Sequence, residues 1–579
     1  MSLHLKFIFG VVLTFLLLSG SAVLSQRVAT QPSAINEVTL KAHIRFLADD
    51  LLEGRGTGAR GGELAAKYIA SQLEAVGIKG AEKNGSFFQP VALVGVKAAS
   101  STTLMITADA ASNPGTVAGA NTKLTEIFNF AEDFVAFTGA QQEQVTVNSD
   151  LVFVGYGISA PELRWNDYKG QPNDYRGKIL VMLVNDPPAT AEEPNLFGGK
   201  ALTYYGRWTY KYEEAARRGA AGVILLHTDQ SAGYPWSVVR TSNGSWRFDI
   251  ERTASDQTPF LQFRSWMTDD AAKRLMSLAG QDLNKLRLQA ASREFQPINL
   301  GIKAKLDLRS EVQRVAAPNV VGLLMGSDPA LRDEYVVFSA HWDHLGIGAP
   351  NKDGDTIYNG ALDNASGVAC VLAIAETLAR TPLAQRPKRS ILFLFPTAEE
   401  QGLLGAEWYT KHPVLPLEKT AADVNLDSMN VLGVTSDFIP LGAERSSLQA
   451  VVEAVAKERK LKISPDARPE QGSFYRSDHF PFAKVGVPSI SLKEGNEYVG
   501  HTKEWGEEQF KAYNTAHYHQ PSDELRSSWD FKGMIQEAQI ALAIGRKIAD
   551  MPQKPEFNPG DEFANRRKGS GSAIKTPTQ

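Results

Sequence analysis

The sequence predicts an α/β protein: a mixed, mostly parallel sheet flanked by helices and interrupted by a separate β-rich module. Three observations carry this. Between residues 315 and 550, short apolar runs alternate with stretches of helical periodicity. Between about 150 and 290 the pattern changes to strands closed by glycine turns, with one clear helix. The chain has 579 residues, more than a single core organises, so two or more folding units are required.

Taken in order, the elements begin with a segment that reads as a targeting signal. Lys6 precedes the apolar run Phe7 to Leu18, and Ser19 to Gln26 is small and polar, with a cleavage site near Val23-Leu24-Ser25. The run is too short to span a bilayer comfortably, so residues 1–25 are expected to be a signal peptide and the protein to be secreted or periplasmic. An uncleaved anchor is the other reading. No cysteine follows the run, which excludes a lipoprotein anchor. No later stretch reads as apolar enough to cross a membrane, so no transmembrane domain is expected in the mature chain.

Residues 36–80 read as helices, including Glu63 to Leu73 after the glycine- and arginine-rich link Gly54 to Gly58. Residues 85–150 read as short strands and turns. Within the second module, Leu151 to Gly157, Lys178 to Val184 and Val223 to Leu226 read as strands, and Tyr210 to Arg218 as a helix. Beyond 315, strands are expected at Asn319 to Leu324, Tyr335 to Ala340, Arg389 to Phe395, Asp423 to Leu426 and Pro488 to Leu492, with helices at Ser366 to Arg380, Ser446 to Lys460 and Phe531 to Ile548. Residues 36–110 and 295–550 are therefore assigned to one discontinuous domain and 111–294 to the insert. The polar stretch 555–579 is expected to be a disordered tail.

The formal charge of -4 carries no basic excess, which argues against nucleic-acid binding. The single cysteine, Cys370, excludes an intrachain disulfide and falls inside an apolar helix, where it reads as core. Gly472-Ser473 lacks a Gly-x-Ser-x-Gly elbow, and no phosphate-binding glycine loop occurs.

The chemistry lies at the strand ends. Tyr335 to Ala340 runs into His341-Trp342-Asp343-His344, Arg389 to Phe395 into Pro396-Thr397-Ala398-Glu399-Glu400, and Asp423 to Leu426 into Asp427. In a largely parallel sheet these carboxyl ends share one edge, where open α/β folds bind ligands. Between the first two strands lies Gly360-Ala361-Leu362-Asp363-Asn364-Ala365-Ser366-Gly367. Asp363 there is either a helix cap or a carboxylate turned into the same crevice, with two oxygens that could bridge two cations. Near the end stands His517-Tyr518-His519-Gln520-Pro521-Ser522-Asp523, a turn whose histidines are either surface residues or ligands. His344 either touches substrate or packs, and Asp478-His479 either neighbour the pocket or brace a loop. Asp353 and Asp355 lack the spacing of a calcium loop, and His501 and Trp505 are candidates for a pocket wall.

Taken together, Ser339-Ala340-His341-Trp342-Asp343, Asp363 to Gly367, Glu399-Glu400, Asp427 and Tyr518-His519 resemble the co-catalytic zinc aminopeptidase family. It includes bacterial leucyl aminopeptidases and, more distantly, glutamate carboxypeptidase II and the transferrin receptor. The insert is similar to the protease-associated domain of larger members, a scaffold, lid or access module. The resemblance implies a zinc exopeptidase fold and two zinc ions per chain. His341 and Asp427 would hold one ion, Glu400 and His519 the other, and Asp363 would bridge them. Glu399 would be general base, Asp343 would fix the His341 tautomer, and Tyr518 would donate to the oxyanion. The substrate would be a peptide cut at its N-terminus. A carboxypeptidase or dipeptidase on the same centre is the alternative. Further off are a single-zinc glutaminyl cyclase and an inactive receptor, against which the full ligand set and base are retained. Sequence leaves the oligomeric state open.

Overall fold

The computed structural model describes residues 35–109, 123–244, 246–564 and 566–569. The expected signal peptide lies outside them. The chain enters through α1 (Glu37–Leu47), whose N-cap Asn36 accepts a hydrogen bond from the Thr39 amide. Leu40, Ile44 and Leu47 form its buried stripe. A 3-10 segment containing Arg55 leads to α2 (Arg60–Ala75).

The strands then fall into two sheets. The insert sheet is built from β2 (Thr103–Asp109), β3 (Lys123–Phe128), β4 (Phe134–Thr138), β5 (Gln144–Phe153), β6 (Ile179–Leu183), β7 (Gly222–Leu226) and β9 (Phe263–Met267). Strands β5, β6, β7 and β9 run parallel, and α3 (Trp208–Arg217) precedes β7. The other sheet holds β1 (Phe88–Ala98), β8 (Arg247–Ile250), β11 (Tyr335–Ser339), β12 (Ser390–Phe395), β13 (Thr420–Leu426), β14 (Asp437–Leu441) and β15 (Ser489–Glu494).

One strand belongs to both sheets. β10 (Ile298–Leu324) pairs with β2 and β5 through its first half and with β1 and β12 through its second. At about 3.3 Å per residue its 27 residues reach roughly 90 Å. Burial alternates along Ile302, Ala304, Leu306 and Leu308, one face on the insert core, and becomes continuous at Val320 and Val321, where both faces are covered. The insert sheet thus begins at Thr103 and ends in β10 near Arg309, wider than the expected 111–294. β8, although inside that interval, pairs with β1 of the other sheet. The sequence boundary missed this because β10 carries no break in its strand pattern.

In the second sheet β12, β11, β13 and β15 lie side by side and parallel, while β10 and β14 close it antiparallel. The mixed, mostly parallel α/β class holds. The helices α4 (Ser366–Ala379), α5 (Leu404–Lys411), α6 (Leu448–Arg459), α7 (Lys503–Ala516) and α8 (Phe531–Asp550) complete this half. α4 packs against α1 and α8. The stretch Ala361–Ala379 is long and apolar enough to cross a membrane, which the sequence expectation denied, but 89% of it is buried inside the molecule; it is a core helix. Cys370 is buried in it.

The tail also departs from expectation up to residue 564. Phe563 is fully buried beside Phe480, Arg445 bridges Asp561 and Glu562, each at 2.9 Å, and Phe557 forms a β-bridge with Ser446. One aromatic anchor and a paired arginine hold a segment whose composition alone reads as unfolded. Residues 570–579 lie outside the described residues.

Candidate metal centre

β11 lies between β12 and β13, and strands in a sheet are about 4.8 Å apart. Their carboxyl ends therefore bring His341, Glu399, Glu400 and Asp427 together. Asp363 enters from the irregular turn before α4, and His519 from the loop after α7. Two braces fix these loops, one an arginine that meets four carbonyls and the other a carboxylate. The buried Arg55 guanidinium donates to the carbonyls of Trp342, Leu47, Asn359 and Gly360 at 2.6–2.9 Å. Asp523 accepts from the amides of Leu362 and Asp363 at 3.1 Å each. Sequence reasoning assigned neither residue a role; the side chains of both bind backbone atoms, which leave no side-chain pattern to read.

The two Asp363 oxygens face different histidines. Oδ1 lies 3.3 Å from His341 Nε2 and Oδ2 lies 3.2 Å from His519 Nε2. His341 Nε2 is also 3.6 Å from Asp427 Oδ1, and His519 Nε2 is 3.1 Å from Glu400 Oε2. The buried His519 Nε2 makes no hydrogen bond despite these neighbours. Ligands about 2.0–2.2 Å from a tetrahedral zinc stand roughly 3.3–3.6 Å from one another, close to the 3.1–3.6 Å found. His341, Asp363 and Glu400 form one group able to hold an ion, and His341, Glu399 and Asp427 another. The nitrogen and carboxylate donors and the orphaned nitrogen fit zinc.

Further contacts aim each donor. Ser477 Oγ donates to Asp427 Oδ2 at 2.7 Å, and Lys493 Nζ to the Asp427 carbonyl at 2.6 Å. His344, left undecided by the sequence, sits 2.7 Å through Nδ1 from Glu400 Oε1 and is buried; it orients a donor, as outer partners of metal ligands do. Asp343 needs a correction. His341 Nδ1 meets the Asp343 backbone carbonyl at 3.1 Å, whereas the carboxylate is 3.9 Å away. That carboxylate is instead held by the Thr57 hydroxyl and the Ala398 amide. The tautomer is set by the residue expected, but through its main chain. Tyr518 stacks on His519 with ring centroids 3.9 Å apart.

Strain gathers at the same loops. Ala398, Ser428 and His519 have φ of 54°, 58° and 57°, a left-handed conformation unfavourable for residues with a Cβ. They adjoin Glu399, Asp427 and the last ligand itself.

The electrostatics describe a cluster short of positive charge. Burial alone would lower the His341 imidazole, but Glu399, Asp363 and Asp427 hold it well above its ordinary value. Burial opposed chiefly by Glu400 does the same for His519. Burial would raise Glu400, yet His519 brings it down to about 2. Glu399 moves the other way: burial, with Glu400 and Asp427 adding to it, pushes its carboxyl well up. Adjacent glutamates thus differ in kind, one held ionised among histidines and one poised to carry a proton.

Asp478 and His479 are buried, and among the described residues their side-chain oxygens and ring nitrogens have no hydrogen-bond partner by geometry. His501 stacks on Trp505 at 3.8 Å, and neither lines the cavity onto which the cluster opens. The cluster opens into a cavity of about 2560 Å³ walled by both halves of the molecule.

Residues 319–543 match Peptidase family M28. A probable leucine aminopeptidase 2 from Aspergillus oryzae is 28% identical over 440 residues, 74% of this chain and 72% of its own. A probable zinc metalloprotease from Pyrenophora teres f. teres is 36% identical over 108 residues, 19% of this chain and 22% of its own. Among solved structures, an aminopeptidase from Aneurinibacillus sp. strain AM-1 is 18% identical, covering 91% of this chain and 97% of its own with a TM-score of 0.48. The sequence matches resemble zinc peptidases and aminopeptidases.

Proposed function

We propose that this chain is a zinc-dependent aminopeptidase that removes N-terminal residues from peptides, with two ions held by His341, Asp363, Glu400, Asp427 and His519. The observation that carries it is Asp363, which offers one oxygen to each histidine. When bound, zinc supplies Lewis acidity that brings the pKa of water down toward about 7. Glu399 is the free carboxylate beside the ligands. Its place beside His341 and Asp427 suits it to take the attacking water's proton and pass it to the departing amine. Tyr518, stacked on His519, would donate to the developing oxyanion. The match to Peptidase family M28 and the aminopeptidase-like relatives support the assignment.

The test is a panel of aminoacyl arylamides and peptides with free or acetylated N-termini, given to the zinc-loaded protein. Cleavage confined to free N-termini is expected; equal cleavage of blocked peptides would sink the assignment. The insert is proposed to act as a protease-associated scaffold at the cavity mouth. Residues 1–25 are proposed to be a signal peptide that sends the enzyme out of the cytoplasm. N-terminal sequencing of exported protein checks the last point, since a mature chain still starting at Met1 contradicts it.

A further inference from the structure

The two oxygens of Asp427 have different partners. Oδ1 lies 3.6 Å from His341 Nε2, while Oδ2 accepts the Ser477 hydroxyl at 2.7 Å. Ser477 is buried and accepts in turn from Asn425 Nδ2 at 2.7 Å. It therefore sets which way the carboxylate turns. Ser477 itself belongs to no regular element. It stands between the 3-10 turn Ser473–Tyr475 and the short helix His479–Lys484. A loop with so little backbone bonding of its own takes its position from what packs on it.

What packs on it is Arg445 together with the C-terminal segment. Arg445 closes the turn after β14, and its side chain is only 17% exposed. Each guanidinium nitrogen has a different partner. Nε donates to Asp561 and Nη2 to Glu562, each at 2.9 Å, and Nη1 donates to the Tyr475 hydroxyl at 3.1 Å. The same group lies 4.9 Å from the centre of the Phe474 ring and 4.8 Å from that of Phe563. Phe563 also packs on Phe480, in the helix after the loop, and Phe480 packs on Tyr475, with ring centroids 6.0 and 5.2 Å apart. The segment is tied down beside Arg445. The Asn558 amide donates to the Arg445 carbonyl and the Ser447 amide to the Glu556 carbonyl, each at 2.9 Å.

The contacts form one continuous path. It runs from Asp561 and Glu562 to Arg445, on to Phe474 and Tyr475, through the backbone of Arg476 to Ser477, and from Ser477 to Asp427. Without the two carboxylates, a largely buried guanidinium keeps only a neutral phenol. Removing one partner of a buried charge pair leaves the other uncompensated, so Arg445 would turn toward water and release Tyr475.

We propose that Arg445 is a positioning residue that latches the C-terminal segment 556–563 onto the loop bearing Ser477. This segment, outside the metal centre, thereby sets the affinity of the ion on the Asp427 side. The latch rests on the two-ion reading and adds a control to it.

The experiment measures zinc affinity of the full-length protein by chelator competition. The variants are Asp561→Asn with Glu562→Gln, Arg445→Met, Ser477→Ala, and Arg445→Met with Ser477→Ala. Outer partners of metal ligands are worth about 10- to 100-fold in metal affinity, so one zinc per chain is expected to bind at least tenfold more weakly in every variant while the other is retained. Arg445→Met should add little once Ser477 has lost its hydroxyl, because both act on one carboxylate oxygen. Equal weakening of both ions means a general loosening and overturns the latch. Unchanged affinity in the Asp561→Asn with Glu562→Gln protein, whose side chains keep their size, overturns it too, as do additive losses in the cycle. If Arg445→Met does not fold, the Asp561→Asn with Glu562→Gln pair combined with Ser477→Ala completes the same cycle. One zinc per chain in the unaltered protein counts against the two-ion reading alone. The cycle is then read on that ion, where non-additive losses uphold the latch and additive losses overturn it.

Discussion

Glu399 and Glu400 are neighbours in sequence yet separated in role by what each touches. Glu400 is fixed by His344 at 2.7 Å and His519 at 3.1 Å, so its oxygens are committed. Among the described residues no side-chain hydrogen bond holds the buried Glu399 carboxyl, which leaves it uncommitted. Glu399→Gln is isosteric and removes only that capacity. It is expected to bind zinc as the unaltered protein does while kcat falls by about 10²- to 10⁴-fold, the range of general acid–base catalysis. Metal content and kcat measured on one preparation decide this; retained turnover removes Glu399 as base. At this scale His341, Glu400 and Asp427 stand out in the sequence because each follows an apolar strand, whereas Asp363 lies in the turn before a helix and His519 in a loop, where only the family resemblance marked them. The supports were less legible. Arg55, Asp523 and Ser477 act at sequence distances that no local pattern spans, and the Asp343 contact passes through a carbonyl, which every residue has.

At the scale of elements, the site depends on how rigidly β11 is held. Gly545 of α8 faces Phe338 of β11, and a Cβ at Gly545 would come within 2.2 Å of the Phe338 ring. Helix propensity favours Ala over Gly by about 1 kcal/mol, but overpacking a closed core costs about 1–3 kcal/mol. Phe338 is fully buried, so the steric term is expected to win. Gly545→Ala should be destabilised by roughly 1–2 kcal/mol in chemical denaturation, and a stabilised variant would contradict the packing. A second element carries pH dependence. His43 on α1 lies 2.9 Å from the Tyr68 hydroxyl on α2, and burial lowers its pKa from 6.5 to about 4. The folded state therefore resists a proton that the unfolded chain accepts. The contribution is intact above pH 6.5 and is lost as pH falls from 6.5 through 4, about 2 kcal/mol of it by pH 5. His43→Phe should flatten the fall in stability between pH 7 and 5; an unchanged slope places the dependence elsewhere. The parallel strands were legible as continuous apolar runs, whereas α7 was not. Gly506 is its one buried residue, so it carries no apolar stripe for periodicity to detect.

At the scale of the molecule, β10 joins two sheets without a break, and a continuous strand hides a boundary that composition could not mark. The cavity walled by those halves gathers acidic groups at one end. At the acidic end His341 and His519 are held well above their ordinary pKa by the surrounding carboxylates. In metal-free protein at pH 7 both therefore carry protons. Zinc requires them neutral, so metal binding must expel protons, and apparent zinc affinity should rise with pH through the neutral range. Zinc that binds the folded site alone would also stabilise it, by about 4 kcal/mol when free zinc is a thousandfold above Kd. Removal with a chelator should lower the melting temperature, and zinc should restore it. Titration calorimetry in buffers of different ionisation enthalpy reads the proton release directly, and metal analysis should find close to two zinc per chain. One zinc per chain would contradict the bridging role of Asp363, and binding without proton release would contradict the charge state of the two histidines.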